Sequence, residues 1–187
     1  MQLILASQSP RRKELLGLFR LPFIVRVADI DESMNPGDPY EEVARVSRLK
    51  AMAVPREEED VVIAADTIVV CDGRVLGKPK DEADAYRMLT LLSGRDHQVM
   101  TGLTVLRGEK ILSCTEVTDI HFRDLTEKEI ESYIRTGEPM DKAGSYGIQG
   151  GAALFAEKLS GDYFNVVGLP VCRLGILLKE IAPEWMD

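Results

Sequence analysis

The sequence predicts an α/β protein with a mixed sheet. Short apolar, β-branched runs alternate along the chain with stretches whose apolar residues recur at helical spacing. Asp72-Gly73 and Gly108-Glu109 sit between apolar runs as tight-turn signals, and hairpins add antiparallel pairs to a sheet. The length of 187 residues, 45% hydrophobic and 29% charged, suits a single globular domain, at most two-lobed.

Each element has its own warrant. Leu3 to Ser7 is a short apolar run, read as a buried strand. Ser9-Pro10 opens a helix, with Ser at the N-cap and Pro at the first helical position. Phe23 to Ala28 reads as a second strand, and Asp29 to Pro39 as loop. Tyr40 to Ala53 is a helix with Val43, Val46, Leu49 and Ala53 at helical spacing. Val61 to Val70 is the most strand-like stretch. Glu82 to Leu92 is a helix stopped by Ser93-Gly94. His97 to Leu106 and Lys110 to Phe122 read as two long strands. Thr126 to Thr136 is a helix with Thr126 at the N-cap and Glu129 at the capping-box position. Phe155 to Val167 is expected to hold another strand, and Pro170 starts a last helix.

The chain is acidic, at net −8, so a dedicated duplex-DNA or membrane-surface binder is not expected. No apolar run is long enough to cross a bilayer, and Met1 to Leu5 lacks the basic start of a secretory signal. Cys71, Cys114 and Cys172 are odd in number and widely spaced; they read as reduced thiols, mostly in the core, of a cytoplasmic protein. With only His97 and His121 and no CxxC, a metal would be a hard cation on carboxylate oxygen.

The charge is uneven. The first 28 residues carry five cations and one acid, Glu14, which leaves −12 on the remainder. Three of the cations, Arg11, Arg12 and Lys13, fall in the first turn of a helix, where the macrodipole disfavours them. Strand, Ser7, Ser9 and helix start together make a seat for a phosphate, with an Arg to grip it; a solvated basic turn is the plainer reading. Asp66 lies inside a β-branched apolar run, where a carboxylate is costly unless paired or metal-bound. It suits a metal ligand, a general base or a structural turn cap. Asp29, Asp31 and Glu32, with Lys50, Lys78 and Lys80, are the kinds of group that surround a Mg²⁺–phosphate site. The stretch from Asp141 to Gly151 is glycine-rich, and its Gln149 offers both a donor and an acceptor to a base edge.

Taken together these blocks resemble the Maf family of nucleotide pyrophosphatases, the septum-formation-inhibitor-like proteins. The resemblance begins at Leu5-Ala6-Ser7-x-Ser9-Pro10-Arg11-Arg12-x-Glu14-Leu15-Leu16. It continues through Ala65-Asp66-Thr67, Gly77-Lys78-Pro79, Gly137-Glu138-Pro139, Tyr146-Gly147-Ile148-Gln149-Gly150 and Asn165 to Pro170. It implies one Maf-like domain over residues 1–187, similar in fold to inosine-triphosphate pyrophosphatases: an elongated mixed sheet flanked by helices, two lobes around a central cleft. It implies hydrolysis of a nucleoside triphosphate to monophosphate and pyrophosphate with Mg²⁺ or Mn²⁺. Arg11, Thr67 and Gln149 look like the specificity set of the dTTP/UTP branch, which also implies tolerance of modified pyrimidine triphosphates. The resemblance, with the chemistry, assigns Asp66 as proton acceptor and Glu32, with Asp66, to the metal. It gives Lys50, Lys78, Arg12, Ser7 and Ser9 to the phosphates. A homodimer is implied, and neither nucleic acid nor membrane as partner. The alternatives are 7-methyl-GTP or another nucleotide as substrate, and a non-catalytic regulator of cell division. Ala152 departs from the family pattern, which usually has Gly there.

Overall fold

A computed structural model describes residues 1–186. The strands are β1 (Leu3–Leu5), β2 (Phe23–Val25), β3 (Val61–Cys71), β4 (Arg74–Leu76), β5 (Asp96–Arg107), β6 (Lys110–Phe122) and β7 (Ala156–Ser160). The helices are α1 (Pro10–Gly17), α2 (Pro39–Ala53), α3 (Glu82–Leu92), α4 (Glu127–Ile134), α5 (Tyr163–Val167) and α6 (Val171–Ile181). One sheet has the order β2-β1-β3-β5-β6-β7, with β4 paired on β3. β1 is parallel to both β2 and β3, whereas β3–β4 and β6–β7 are antiparallel. The expected mixed α/β sheet is therefore present.

The turns follow their residues. Asp72 and Gly73 both take positive φ, 49° and 73°, which is what a two-residue hairpin between β3 and β4 requires. Thr126 and Glu129 form the reciprocal capping box at the start of α4. The strand expected within Phe155 to Val167 is β7, which ends at Ser160; Gly161 follows at φ 133°, and the rest of the stretch is α5. There Asp162 accepts from the Phe164 N–H at 2.7 Å, a local cap that overrides the β-branched sequence. The cysteines are free thiols, but only Cys71 is buried; Cys114 is half-buried and Cys172 exposed. Cys172 follows the first residue of α6 on the face away from Leu174 and Leu178, so its position in the heptad decides its exposure.

The chain forms two compact units. The first comprises Met1–Asp66, Thr101–Glu116 and the chain from Gly168 onward; the second comprises Thr67–Met100 and Val117–Val167. In the first unit Ile4, Ala6, Ala51, Val54, Val62, Ala64 and Leu106 form a core. α2 packs there through one stripe, Val43, Val46, Ser47 and Ala51. Gly102 lets it approach closely, because a Cβ at that position would overlap the Val43 carbonyl. A buried hydroxyl relay, Ser47 to Thr104 at 2.8 Å and Thr104 to Ser113 at 2.9 Å, pins the same helix. In the second unit α3 and α4 cover a core that includes Leu89, Leu92, Phe122, Tyr133, Tyr146 and Phe155. His97 lies in this core, its Nε2 2.8 Å from the Tyr146 hydroxyl. Burial lowers its pKa to about 4, so it is neutral near pH 7. No helix among the described residues is long and apolar enough to cross a membrane.

Candidate active site

The first unit collects most of the predicted site residues, and the strand lengths explain how. β1 pairs in parallel with β3 only as far as Leu5 opposite Ile63. Beyond Leu5 the chain leaves the sheet through Ser7 and enters α1, while β3 runs on to Asp66. The α1 N-terminus therefore lies just past the carboxyl end of β1, and Asp66 sits in mid-β3, three residues beyond the last β1–β3 pair, where β3 no longer has β1 beside it. β3 is buried along its length except at two adjacent residues, Asp66 and Thr67.

Ser9 caps α1 by accepting from the Arg12 N–H, and Pro10 occupies the first helical position, as its sequence predicts. No acidic residue falls in that first turn. Arg12 is held inward: its Nε donates to the Gly168 carbonyl at 2.8 Å and its Nη1 to Ser7 Oγ at 3.3 Å. Ser7 Oγ also accepts from the Ser9 N–H at 3.2 Å. Both contacts use lone pairs of Ser7, so its O–H remains the donor. Burial pushes the Arg12 pKa down, Asp66 and Glu32 pull it up, and Arg11 adds to the downward push. An Arg stays charged under such shifts. What they report is a shared field of Arg11, Arg12, Asp66 and Glu32.

Lys50 joins the carboxylates. Its Nζ donates to Asp66 Oδ1 at 2.7 Å and lies 2.8 Å from Glu32 Oε2. Lys50 and Asp66 are shielded, with side chains 14% and 16% exposed, whereas Glu32 is 59% exposed. Lys50 follows Val43, Val46 and Ser47 on the packed stripe of α2, so docking of that helix aims the ammonium at β3. The loop bearing Glu32 is fastened by Arg45, whose guanidinium grips Glu42 and donates to the Ser33 carbonyl at 3.0 Å.

The other acids and lysines behave differently. Asp31 accepts from the Ser33 N–H at 2.9 Å, and hydrogen bonds with Ser33 lower its pKa. It is a turn-former, so of Asp29, Asp31 and Glu32 only Glu32 reaches Lys50. Lys78 and Lys80 are exposed in the second unit, and the Lys80 N–H caps onto Asp84.

The second unit holds Thr67, Lys78 and Gln149. Thr67 is half-buried on β3 and Gln149 is exposed in the glycine-rich stretch. The Gly144 N–H donates to the Gly77 carbonyl at 3.0 Å, which ties that stretch to the loop carrying Lys78. Gly144 has φ 67° and sits on Val69, where a Cβ would collide with the Val69 side chain. Ala152 is fully buried in the core of this unit, so packing absorbs its methyl. Sequence reasoning passed over Tyr133 and Glu138, which hydrogen-bond the glycine-rich stretch; the one available signal was Glu138 inside the Gly137-Glu138-Pro139 block.

Chemically the first unit offers a shielded carboxylate, a second carboxylate, a lysine between them and two arginines at a helix start. A carboxylate pair on one cation is a donor set that a hard divalent ion accepts in place of the ammonium. No cluster of three His, Cys, Asp or Glu side chains exists among the described residues, so such an ion would rely on phosphate or water for its remaining ligands.

Comparison with known proteins agrees with this chemistry. A family model described as Maf-like protein matches residues 2–181. A dTTP/UTP pyrophosphatase of Bacillus cytotoxicus is 51% identical over 95% of this chain and 94% of its own. One of Symbiobacterium thermophilum is 53% identical over 97% and 94%, and one of Clostridioides difficile 49% over 96% and 95%. Among solved structures, a HAM1 protein from Coxiella burnetii matches with a TM-score of 0.52 at 18% identity, covering 96% of this chain and 99% of that one. At that identity the likeness concerns the fold.

Proposed function

The chain belongs to the Maf family, and on that premise we propose that it hydrolyses dTTP and UTP to the monophosphate and pyrophosphate. The observation that carries the reading is the shielded Asp66, held by Lys50 beside Glu32 and the basic start of α1. Relatives about half identical over nearly the whole chain, named dTTP/UTP pyrophosphatases, support the substrate.

In this mechanism Asp66 takes the proton from a water that attacks the α-phosphorus, and pyrophosphate leaves. Arg12 and Ser7 hold phosphate oxygens: the guanidinium is already oriented by Gly168, and the Ser7 O–H is the donor left for an anion. Ser9 and the N–H groups of α1 complete the seat. Lys50 holds Asp66 in place, then offsets charge that develops on the phosphates, a role Lys78 shares. Glu32 and Asp66 are the carboxylates that would hold Mg²⁺ or Mn²⁺. Such an ion supplies Lewis-acid neutralisation of phosphate charge and acidifies water.

Arg11, Thr67 and Gln149 form the specificity set in this reading. Gln149 presents an amide acceptor and donor to the O4/N3–H edge that thymine and uracil share, and cytosine leaves that amide mispaired. Tolerance of the 5-methyl and of the 2′-OH would admit modified pyrimidine triphosphates and make the enzyme a house-cleaning one. We read 1–187 as one functional domain, working in the cytoplasm as a homodimer without nucleic-acid or membrane partners; light scattering tests the dimer. The decisive experiment is pyrophosphate release from a panel of dTTP, UTP, dCTP, GTP and 7-methyl-GTP with Mg²⁺ or Mn²⁺. Release from dTTP and UTP well above the others is the expected result. No metal-dependent turnover of any nucleotide overturns the enzyme reading.

A further inference from the structure

The turn that carries Gln149 is braced from beneath by two side chains. The Tyr133 hydroxyl, from α4, accepts from the Gly147 N–H at 3.0 Å and donates to Glu138 Oε1 at 2.8 Å. Glu138 Oε2 accepts from the Gly151 N–H at 3.0 Å. The turn also closes on itself, Gly150 N–H to Gly147 carbonyl at 3.0 Å. Gly147 and Gly151 are thus the two fixed feet, and Ile148, Gln149 and Gly150 form the span between them.

The glycines fit this brace. A Cβ at Gly150 would overlap the Glu138 carboxylate, and one at Gly147 would strike the stem of Lys142. Lys142 in turn donates to the Glu138 carbonyl at 2.7 Å, so the brace is itself anchored. Tyr133 is 5% exposed, and burial, with Glu138 beside it, raises its pKa, so the hydroxyl keeps its proton for Glu138. A carboxylate drawn from water onto a neutral hydroxyl and a backbone N–H gains charge-assisted bonds, and both of its oxygens are used. Such an arrangement fixes the two feet to within a hydrogen bond's tolerance, which is the precision that base-edge recognition needs.

We propose that Glu138, acting through Tyr133 and the Gly147 and Gly151 N–H groups, is a positioning residue that sets base selectivity by holding Gln149 for the uracil-type edge of a pyrimidine triphosphate. The proposal rests on the reading of Gln149 as the base reader. Glu138 touches no phosphate-binding residue named above, so its loss acts on choice of base and on KM, not on the chemical step.

The test measures kcat and KM for dTTP and dCTP in Glu138→Ala, Glu138→Gln, Tyr133→Phe, Gln149→Ala and the double variant Glu138→Ala/Gln149→Ala. Glu138→Ala is expected to lower kcat/KM for dTTP about tenfold, mainly through KM, and to leave dCTP within about twofold. Glu138→Gln keeps one acceptor and recovers part of the loss. In the Gln149→Ala background, Glu138→Ala changes the dTTP:dCTP ratio by less than about twofold, because the group it positions is gone. Equal losses on both substrates, or a full further loss of selectivity in the double variant, overturn the proposal. If Gln149→Ala alone leaves the ratio unchanged, the reading of Gln149 fails. If Gln149→Ala collapses the ratio and Glu138→Ala does not alter it, the brace alone fails. Should Glu138→Ala not fold, Tyr133→Phe removes one hydroxyl from the same chain of bonds and is judged by the same ratio.

Discussion

The two units hold their functional groups by different physics. In the first, side-chain charges hold one another: Lys50 sits between Asp66 and Glu32, and Arg12 feels Asp66 and Arg11. In the second, the Gln149 turn is held by hydrogen bonds to backbone N–H groups and by glycines that let side chains close in. A network of charges is suited to a polyanion and to proton transfer, because its field acts on developing charge. A braced backbone is suited to choosing among neutral bases, because geometry, not charge, distinguishes them. On the proposed function the charge network serves turnover and the braced turn serves choice of base; Arg11 in the first unit and Lys78 in the second fall outside that division.

The sharpest way to break this contrast is at Asp66. Asp66→Asn keeps the shape but removes the carboxylate proposed as proton acceptor, and kcat is expected to fall by about 10³-fold or more for every substrate alike. Steady-state assays on dTTP and dCTP check it; a change in their ratio would contradict the division of labour. Lys50→Met comes next. It leaves Asp66 without its 2.7 Å partner and the phosphates without one of their cations, for an expected loss of about 10²-fold, again uniform across bases. Gly102→Ala tests how α2 aims Lys50. The new methyl collides with the Val43 backbone, so the variant should lose about 1–3 kcal/mol in denaturant melts, with kcat falling and selectivity unchanged.

The smallest effect on activity belongs to the second unit and to pH. His97 has a folded pKa of about 4, below its ordinary value near 6.5, because burial disfavours the charged ring. The unfolded chain therefore binds that proton first. The His97 contribution is fully present above about pH 6.5, is lost as pH falls towards 4, and amounts to at most about 3 kcal/mol. Melting temperatures measured between pH 7 and 4 should decline, and His97→Phe should flatten part of that decline. The same sweep leaves the dTTP:dCTP ratio unchanged above pH 6.5 if His97 supports the unit only through packing.

Much of this was legible in the chain. The alternation of apolar runs and helical stripes, Ser9-Pro10, the Asp72-Gly73 turn and the Thr126/Glu129 capping box are local signals, decided within a few residues, and each formed as read. The same holds for the anomaly of three cations in the first turn of α1 and a carboxylate in the midst of β3. Each is locally unfavourable, and a locally unfavourable residue points to a partner elsewhere.

The sequence by itself determined which residue types the site contains and which of them were out of place. Only the tertiary structure decided their partners. Composition and spacing group Asp29, Asp31 and Glu32 together, and only the family resemblance singles out Glu32; the fold supplies the physical difference, with Asp31 turned to the Ser33 backbone and Glu32 against Lys50. Glu138 stands in the sequence only as part of the Gly137-Glu138-Pro139 block, with no role, until the fold brings Tyr133 and the Gly147–Gly151 turn against it. The physical reason is range. Caps, turns and amphipathic stripes depend on neighbours a few positions away, whereas a carboxylate's partner is set by which strands pair and which helix the core admits.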